Sequence, residues 1–496
     1  MSVRYENALI WDGHERFKPG ALQVDGEHFG VAGAACQETV DLDGAFVLPA
    51  LWDSHLHLLL LARAMGQVNL TDCVDKQDLL SRLEGAEGEW VEGFGWNDSH
   101  WQNPGLPTLE ELDRACQGRP CWLTRSDLHS AMTNGPGLVQ AGIGPQTLDP
   151  FGGRIEHDGS GRPSGILADQ AMHLVERVLP QPQRERFQRL LRQACEQMHR
   201  YGIAGVCDQR LKDADDGPLA WDLYRKLRLP LRIHCNRAAH EDLSQGPRFL
   251  EGDDWLRCGH VKFFADGSLG SRTARMLQAY EATQERGLWV TTPEEMRAGF
   301  ARVHSFGFPV SVHAIGDEAV RAAFALLPGH PLDRIEHLQI LRPEDTIGLG
   351  PDSPVASMQP LHLLDDRVQA DQLLGERGAG YYRLASLQAR GVRLSFGSDA
   401  PVASFDPWLG IQAACLRRRS DQEVPWYPQE CLSRPAALHA YTRGACDSLG
   451  WQRAGRLEVG ALADFCVVDR SPLECPWPAQ VRVLRTVIGG KCCFSS

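Results

Sequence analysis

Two histidines at the end of an apolar segment have the spacing of a metal-binding pair. In LPALWDSHLHL, His55 and His57 are separated by one residue, so both imidazoles point to the same side if the segment is a β-strand. Histidine nitrogen is a preferred ligand of zinc-like ions. An isolated pair of this kind is more often incidental than functional. The prediction of a metal site therefore depends on further ligands elsewhere in the chain.

A lysine inside an apolar segment is the second candidate. Lys262 lies in HVKFFADGSLGSRTA, where an unpaired ammonium group would be costly to bury. One interpretation is that its stem is buried while its head reaches solvent or a carboxylate. The other is that burial lowers the pKa of the amine, which then reacts with carbon dioxide. The resulting carbamate would bridge two metals as a carboxylate does.

Three later segments each carry one ligand-type side chain at the end of an apolar strand. His313 lies in FPVSVHAIGD, His337 in DRIEHLQI, and Asp399 in VRLSFGSDAPV. Each alone has a structural explanation, either a core or surface histidine or, for Asp399, a helix N-cap. With the first two candidates they make five strand-end segments in chain order. Their ligands meet at one site only if the strands form a barrel.

The middle of the chain alternates amphipathic helical segments with short apolar ones, as in RFQRLLRQACEQMHRYG followed by IAGVCDQ. Such alternation indicates βαβ units and a parallel sheet. We therefore predict an α/β fold, a (β/α)8 TIM barrel over residues 51–454, with its active site at the C-terminal ends of the strands. Residues 1–50 and 455–496 predict a small β-sandwich domain built from both termini. Residues 68–165, rich in Gly, Pro, Trp and Asn, predict an insertion after the first strand that covers the barrel mouth.

The composition narrows the classes of partner. The 496-residue chain carries a formal net charge of −13, which argues against a nucleic-acid or anionic-membrane partner, because both need clustered Lys and Arg. No apolar run approaches the ~18–20 residues of a membrane span, and the N-terminus lacks a secretory signal. The 15 cysteines are scattered, which is typical of free thiols in a reducing compartment. We expect a cytoplasmic protein with a small-molecule substrate; the oligomeric state, a homodimer included, stays open.

On these segments the sequence resembles the amidohydrolase superfamily, and in particular its amidohydrolase-3, or YtcJ-like, branch. VKFFADGSLGSRTA is the most specific match, and VHAIGD, RIEH and GSDAPV follow in the family's order. GFGWND, DLHSAMTN, PSGILAD and ASMQPLH are weaker matches, so the resemblance covers essentially the whole chain. Ala50 stands where the family more often has glycine, which alters a turn before the first strand but no ligand.

The resemblance implies a binuclear metal centre, with two zinc ions as the expected occupants. In the family pattern His55 and His57 bind one metal, and a carboxylated Lys262 bridges it to the second. His313 and His337 bind the second metal. If Lys262 is not carboxylated, the site holds one metal.

The resemblance also implies hydrolysis of a carbon–nitrogen bond other than a peptide bond, in an amide, N-formyl or N-acyl substrate. A metal ion lowers the pKa of bound water and polarises the substrate carbonyl, so a metal-bound hydroxide attacks it. Asp399, which also contacts the first metal, takes the proton and returns it to the departing nitrogen. A deaminase or cyclic-amide hydrolase with the same site is one alternative. A non-catalytic metal-binding scaffold is another.

Four further residues are predicted to contact the substrate. Asp266 and Arg272 follow Lys262 on a Gly-rich loop, while Trp96 and His129 lie in the predicted insertion. For the loop residues the alternative is turn and capping chemistry. For Trp96 and His129 the alternative is a packing role.

Overall fold

The protein is described by a computed structural model that covers residues 2–31, 33–98, 101, 103, 105–126, 128–150, 153–180, 184–211, 216–327 and 329–496. The chain divides into two compact units. The first unit comprises Met1–Leu58 and Cys195–Ser496, and the second comprises Leu59–Ala194. The predicted insertion, 68–165, falls inside the second unit, which is longer at both ends. Among the described residues, no helix combines the length and apolarity that a membrane span requires.

The first unit contains an eight-stranded parallel sheet, in which each strand pairs with the next along the chain. Its strands are β1 (Leu51–Leu56), β2 (Ile203–Asp208), β3 (Arg232–Ala238), β4 (Leu256–Phe264), β5 (Val310–Ala314), β6 (Arg334–His337), β7 (Val355–Met358) and β8 (Leu394–Phe396). Hydrogen bonds between the segment after β8 and the end of β1 close the sheet. The N–H of Asp399 donates to the His55 carbonyl at 2.7 Å, and that of His57 donates to the Ala400 carbonyl at 2.8 Å. The predicted (β/α)8 barrel is confirmed.

Helices follow most of the barrel strands, as the alternating pattern predicts. They span Asp216–Leu227, Pro293–Ser305, Asp317–Leu326, His362–Asp365, Arg367–Leu374, Leu384–Ala389, Pro407–Leu416, Arg434–Tyr441 and Arg443–Ser448. The helix after β4 shows why they begin where they do, because Thr292 and Glu295 form a reciprocal capping box at its N-terminus. Its buried residues Met296, Phe300 and Val303 recur at the spacing of one helix face.

Both chain termini contribute to a second sheet of the first unit, a continuous eight-stranded mixed sheet. Its strands span Ser2–Trp11, Phe17–Asp25, His28–Phe29, Glu38–Asp41, Phe46–Pro49, Phe465–Val468, Val483–Ile488 and Lys491–Ser495. The rings of Tyr5 and Phe465 pack edge to face with centroids 4.9 Å apart, so the two termini share one core. A buried ion pair ties this sheet to the barrel, since Arg232 of β3 donates from Nη2 to Asp464 Oδ1 at 2.8 Å.

The second unit has a six-stranded sheet and its own hydrophobic core. Its strands span Val68–Asn69, Val91–Trp96, Cys121–Arg125, Ser130–Thr133, Gly153–His157 and Pro163–Asp169. Its helices span Leu58–Ala64, Lys76–Glu84, Leu109–Ala115, Gly135–Gln140, His173–Glu176 and Arg184–Arg200, of which the first and last extend into the first unit. The described residues between the first two barrel strands thus include a compact α/β unit.

Candidate metal centre

The first barrel strand brings two imidazoles to one side of its C-terminal end. β1 is buried along its whole length, His55 is its penultimate residue, and His57 follows it directly. Because alternate strand residues face the same way, both rings enter the barrel, with centroids 5.9 Å apart. His55 is fully buried and His57 is 7% exposed.

Asp399 joins this pair through the segment that closes the barrel. Its Oδ1 lies 3.3 Å from Nε2 of His55 and 3.3 Å from Nε2 of His57. One ligand atom from each of the three residues lies within 4.8 Å of the others. Asp399 has a left-handed backbone, with φ of 62°, which is strained for a non-glycine residue.

A glycine makes this close approach possible. A Cβ at Gly397 would lie 2.4 Å from the backbone nitrogen of His55, well inside van der Waals contact. Only a residue without a side chain lets the segment after β8 pass this near to β1. The spacing between Asp399 and His55 thus depends on Gly397.

His313 and His337 lie on neighbouring strands, β5 and β6, and their ring centroids are 4.6 Å apart. The ring of His337 also lies 4.9 Å from that of His55. Four histidine rings thus run in contact across the C-terminal end of the barrel, from His313 through His337 and His55 to His57. The Nε2 of His313 donates to the Gly267 carbonyl at 3.0 Å, which fixes the orientation of its ring.

Lys262 is buried near the end of β4, with 2% of its surface exposed. Its Nζ lies 5.0 Å from the ring centroid of Phe264, and no carboxylate oxygen of the described chain lies within salt-bridge distance. Burial lowers the pKa of Lys262, and the negative charges of Glu336 and Asp399 oppose that shift only in part. The structure therefore supplies the desolvated amine that the sequence predicts.

The electrostatics favour the protonation states that metal ligands need. Burial alone would raise the pKa of Asp399, but the imidazoles of His55 and His57 outweigh it and hold that pKa well below its usual range. Burial lowers the pKa of His57 and of His337. At neutral pH the centre thus offers the ionised carboxylate of Asp399 beside the neutral imidazoles of His57 and His337.

Several buried polar atoms at this centre have no hydrogen-bond partner within the part of the chain that the structure describes. They are His55 Nε2, His57 Nδ1, His337 Nδ1 and His362 Nε2. Burying a polar atom without a partner is costly, so a cluster of them beside a carboxylate indicates a bound group. Imidazole nitrogens with one carboxylate are the donor set that suits a zinc-like divalent ion. The residues present therefore fit a metal.

Two residues at the centre were not among the predicted site residues. Glu336 of β6 accepts from His55 Nδ1, at 2.6 Å from Oε2, and is fully buried. Burial would raise the pKa of Glu336, but Arg334 and His55 outweigh it and keep that pKa well below its ordinary range. His362 lies after β7, with Nε2 3.8 Å from Asp399 Oδ2. Two sequence signals could have pointed to these residues. Glu336 precedes the ligand-type His337 in RIEH, and His362 ends ASMQPLH, one of the weaker matches to the family pattern.

The two loop residues predicted to bind substrate differ in their surroundings. Asp266 is fully buried, and its carboxylate accepts from the backbone N–H groups of Ile315, Gly316 and Arg275 at 2.8–3.0 Å. These bonds hold the loop after β4 against the segment between β5 and the helix Asp317–Leu326. Arg272 is half-exposed, with its guanidinium 3.9 Å from Glu285. The structure thus places Asp266 in a supporting position and leaves Arg272 accessible.

Trp96 and His129 lie in the second unit. Trp96 ends the strand Val91–Trp96, is 2% exposed, and donates from Nε1 to the Leu123 carbonyl at 2.8 Å. The structure therefore gives Trp96 a packing role in the core of that unit. His129 is partly exposed, and its Nδ1 lies 2.9 Å from Asp169 Oδ1.

The sequence model of the amidohydrolase family matches residues 38–494 of this chain. The chain belongs to the amidohydrolase family. The protein YtcJ of Bacillus subtilis is 31% identical over 479 residues, which cover 92% of this chain and 90% of YtcJ. The N-substituted formamide deformylase of Arthrobacter pascens is 26% identical over 519 residues, covering 95% of this chain and 93% of the deformylase.

A crystal structure with a similar sequence shares this fold. A metal-dependent hydrolase from Pyrococcus horikoshii superimposes with a TM-score of 0.80 and is 26% identical, covering 97% of this chain and 99% of that one. This amidohydrolase thus shares its fold along almost its whole length with a metal-dependent hydrolase. The buried cluster of histidines and Asp399 is where its residues fit a metal.

Proposed function

We propose that this amidohydrolase cleaves the carbon–nitrogen bond of an N-formyl or N-acyl amide other than a peptide. The observation that carries the proposal is the position of the Asp399 carboxylate. Its Oδ1 faces the two histidines of β1 and its Oδ2 faces His362, so the carboxylate lies between the metal ligands and a further buried polar group. The likeness to a formamide deformylase along nearly the whole chain supports this substrate class.

The chain would hold two divalent ions, and zinc suits the donors. One ion would be bound by the ligands from β1 and the segment after β8, and the other by those from β5 and β6. In full, the proposed ligands are His55, His57, Lys262, His313, His337 and Asp399. When bound, such a metal lowers the pKa of water and polarises a carbonyl.

Lys262 would bridge the two ions as a carbamate. Because burial lowers its pKa, a larger fraction of the amine is neutral and nucleophilic at neutral pH. The Nζ lone pair forms an N–C bond to carbon dioxide while the electron pair of one C=O π bond moves to oxygen. The nitrogen then releases one proton to solvent, so the product is an anionic carbamate. Without this modification the site would hold one ion.

Asp399 would move the proton of the reaction. Because its pKa lies well below its usual range, it is ionised at neutral pH and can accept the proton of the attacking water. The same carboxyl group then gives that proton to the nitrogen as the carbon–nitrogen bond breaks. A formyl or acyl group leaves as a carboxylic acid and the nitrogen leaves as an amine.

His362 would contact the substrate. Its Nε2 is buried and has no hydrogen-bond partner among the described residues, and it lies on the Oδ2 side of Asp399. A substrate amide offers both an N–H and a carbonyl to such a nitrogen. His362 therefore would orient the scissile bond relative to Asp399.

The proposal is tested by screening the zinc-loaded protein against N-alkyl formamides, N-acyl amines, cyclic amides and amino-substituted heterocycles, with and without a chelator. We expect release of formate or another carboxylic acid from an acyclic amide, abolished by chelation. Ammonia release from a heterocycle would instead identify a deaminase, and ring opening a cyclic-amide hydrolase. A protein that binds metal fully and turns over no member of the panel would be a non-catalytic scaffold.

A further inference from the structure

A buried ion pair on β6 makes hydrogen bonds across the interior of the barrel to β1, next to the candidate metal centre. Glu336 and Arg334 both lie on β6 and are fully buried, and Arg334 Nε donates to Glu336 Oε1 at 2.5 Å. Glu336 Oε2 accepts from Nδ1 of His55 at 2.6 Å. Arg334 Nη2 donates to the carbonyl of Ser54 at 2.8 Å. Both bonds reach β1, which is not a neighbour of β6 in the sheet.

We propose that Glu336 is a positioning residue that, with Arg334, orients His55 and sets the spacing between the two halves of the metal centre. This inference rests on the proposed function only in that it requires a metal at the histidine cluster. It assigns no proton transfer to Glu336.

The first step is the orientation of His55. An ionised carboxylate can only accept, so His55 donates from Nδ1 to Glu336. That tautomer places the lone pair of His55 on Nε2, the atom 3.3 Å from Asp399. A second carboxylate behind a histidine ligand fixes ring orientation and raises the basicity of the ligating nitrogen.

Glu336 acts through His55 because both of its carboxylate oxygens already accept hydrogen bonds from the protein. Its Oε1 accepts from the hydroxyl of Ser311 at 2.7 Å as well as from Arg334, and its Oε2 from His55. Both carboxylate oxygens of Glu336 thus accept hydrogen bonds from side chains of the barrel strands. Serving as a metal ligand would require Glu336 to give up these bonds.

The adjacent residues Glu336 and His337 link the β6 half of the centre to the β1 half, which contains His55. His337 follows Glu336 directly, and successive residues of a regular strand point to opposite faces. His337 has a φ of 69° and Leu338 a φ of 45°, so the strand ends in a left-handed turn. This turn lets Glu336 contact His55 while the His337 ring still lies 4.9 Å from the ring of His55. Such a backbone persists only where surrounding contacts hold it, and the Glu336–His55 bond is such a contact.

The test compares metal binding by five proteins: the wild type, Glu336→Gln, Glu336→Asp, the double variant Arg334→Met with Glu336→Gln, and the control Glu344→Gln. Glu344 is exposed and close to Glu336 in the chain. Glu336→Gln alone leaves Arg334 buried without its charge partner and can fail to fold. The double variant removes both charges and keeps the measurement possible. Zinc affinity is measured by competition with a chromophoric chelator, metal content by mass spectrometry, and folding by the Tm of the metal-free protein.

We expect the double variant to fold and to bind zinc roughly 10–100-fold more weakly than the wild type. We expect it to hold fewer zinc ions per chain, and Glu344→Gln to match the wild type. Glu336→Asp, which keeps the charge, should regain part of the affinity. The cobalt-substituted double variant should show a changed ligand-field spectrum, which a loss of stability alone would not produce.

The inference is overturned if the double variant folds with the zinc affinity and content of the wild type. Its failure is separable from that of the proposed function. A wild type that binds zinc without hydrolysing any amide removes the proposed function and leaves the affinity difference standing. A wild type that binds no metal removes both.

Discussion

The backbone N–H of Asp399 donates a hydrogen bond to the carbonyl oxygen of His55 at 2.7 Å. This bond joins the segment after the last barrel strand to the first strand, and it places the carboxylate 3.3 Å from the Nε2 of His55. The same residue therefore closes the sheet through its backbone and contributes its carboxylate to the candidate metal centre. His55 and Asp399 are far apart in the sequence, and they meet because the segment after β8 lies beside β1 in the closed barrel.

Replacing Asp399 by Asn should separate proton transfer from folding. Asparagine keeps the shape and the backbone bond to His55 but cannot accept the proton of water. We expect kcat on the best substrate of the screen to fall ~10²–10⁴-fold, with Tm close to that of the wild type. The exposed Asp352→Asn is the matched control. Near-normal turnover in Asp399→Asn would refute the assigned role.

Replacing Gly397 by Ala should disturb the closure of the barrel between the segment after β8 and β1. The added Cβ would lie 2.4 Å from the backbone nitrogen of His55, so backbone must shift. Overpacking of this kind costs about 1–3 kcal/mol. We expect a lower Tm and weaker zinc binding than in Gly350→Ala, where the only atom near a new Cβ is a carbonyl oxygen 3.8 Å away. Equal Tm and zinc affinity in the two variants would show that the approach is not tight.

Removing the amine of Lys262 should change the metal content. In Lys262→Ala no carbamate can form, so we expect fewer zinc ions per chain than in the wild type. A small carboxylate such as acetate or propionate can occupy the vacated space and should restore part of the content and activity. Lys226→Ala, an exposed lysine, is the control. Full zinc content in Lys262→Ala without added carboxylate would show that Lys262 bridges nothing.

Replacing His362 should lower turnover without changing metal binding. Its Nε2 lies 3.8 Å from Asp399 and has no partner among the described residues. We expect His362→Ala to lower kcat/KM roughly 10–100-fold, the value of one hydrogen bond to a polar or charged group, while zinc affinity stays at the wild-type value. A parallel loss of zinc would instead identify His362 as a ligand.

Asp266 should make the stability of the metal-free protein depend on pH. Burial raises its pKa to about 7, although three backbone N–H groups oppose the shift. Between about pH 4 and pH 7 the unfolded chain loses this proton before the folded chain does, so the contribution of Asp266 to stability falls as pH rises. Asp266→Asn loses hydrogen bonds at every pH but does not ionise. We expect the Tm advantage of the wild type over Asp266→Asn, measured with chelator, to shrink from pH 5 to pH 8. An advantage that grows with pH would contradict the raised pKa.

The barrel and the cluster were predictable because the ligands follow a simple rule. Five apolar strand segments carry a ligand-type side chain at or soon after the C-terminal end of the strand, and parallel strands of a barrel present these ends on one side. The positions of His55, His57, His313, His337 and Asp399 follow from that rule, and the structure brings them together. Sequence spacing alone could not supply the closure through Gly397, because it depends on an approach between distant segments.

Other features escaped sequence reasoning for specific physical reasons. Trp96 follows two glycines in GFGWND, which is typical of a loop, yet it ends a strand and its indole N–H is satisfied by the Leu123 carbonyl. Glu336 stands beside the candidate ligand His337, but its hydrogen bond to His55 crosses the barrel and depends on the fold. The second unit has its own sheet, which combines parallel and antiparallel strand pairs that composition does not specify.

The central claim is that side chains from β1 and β6 bind metal at one centre, and metal content tests it most directly. Purified wild-type protein, loaded with zinc and desalted, should retain about one to two equivalents per chain by mass spectrometry. His55→Ala and His337→Ala, altered on opposite sides of the barrel, should each retain less than the wild type. A wild type that retains only trace zinc, or variants that both retain its full content, would contradict the account.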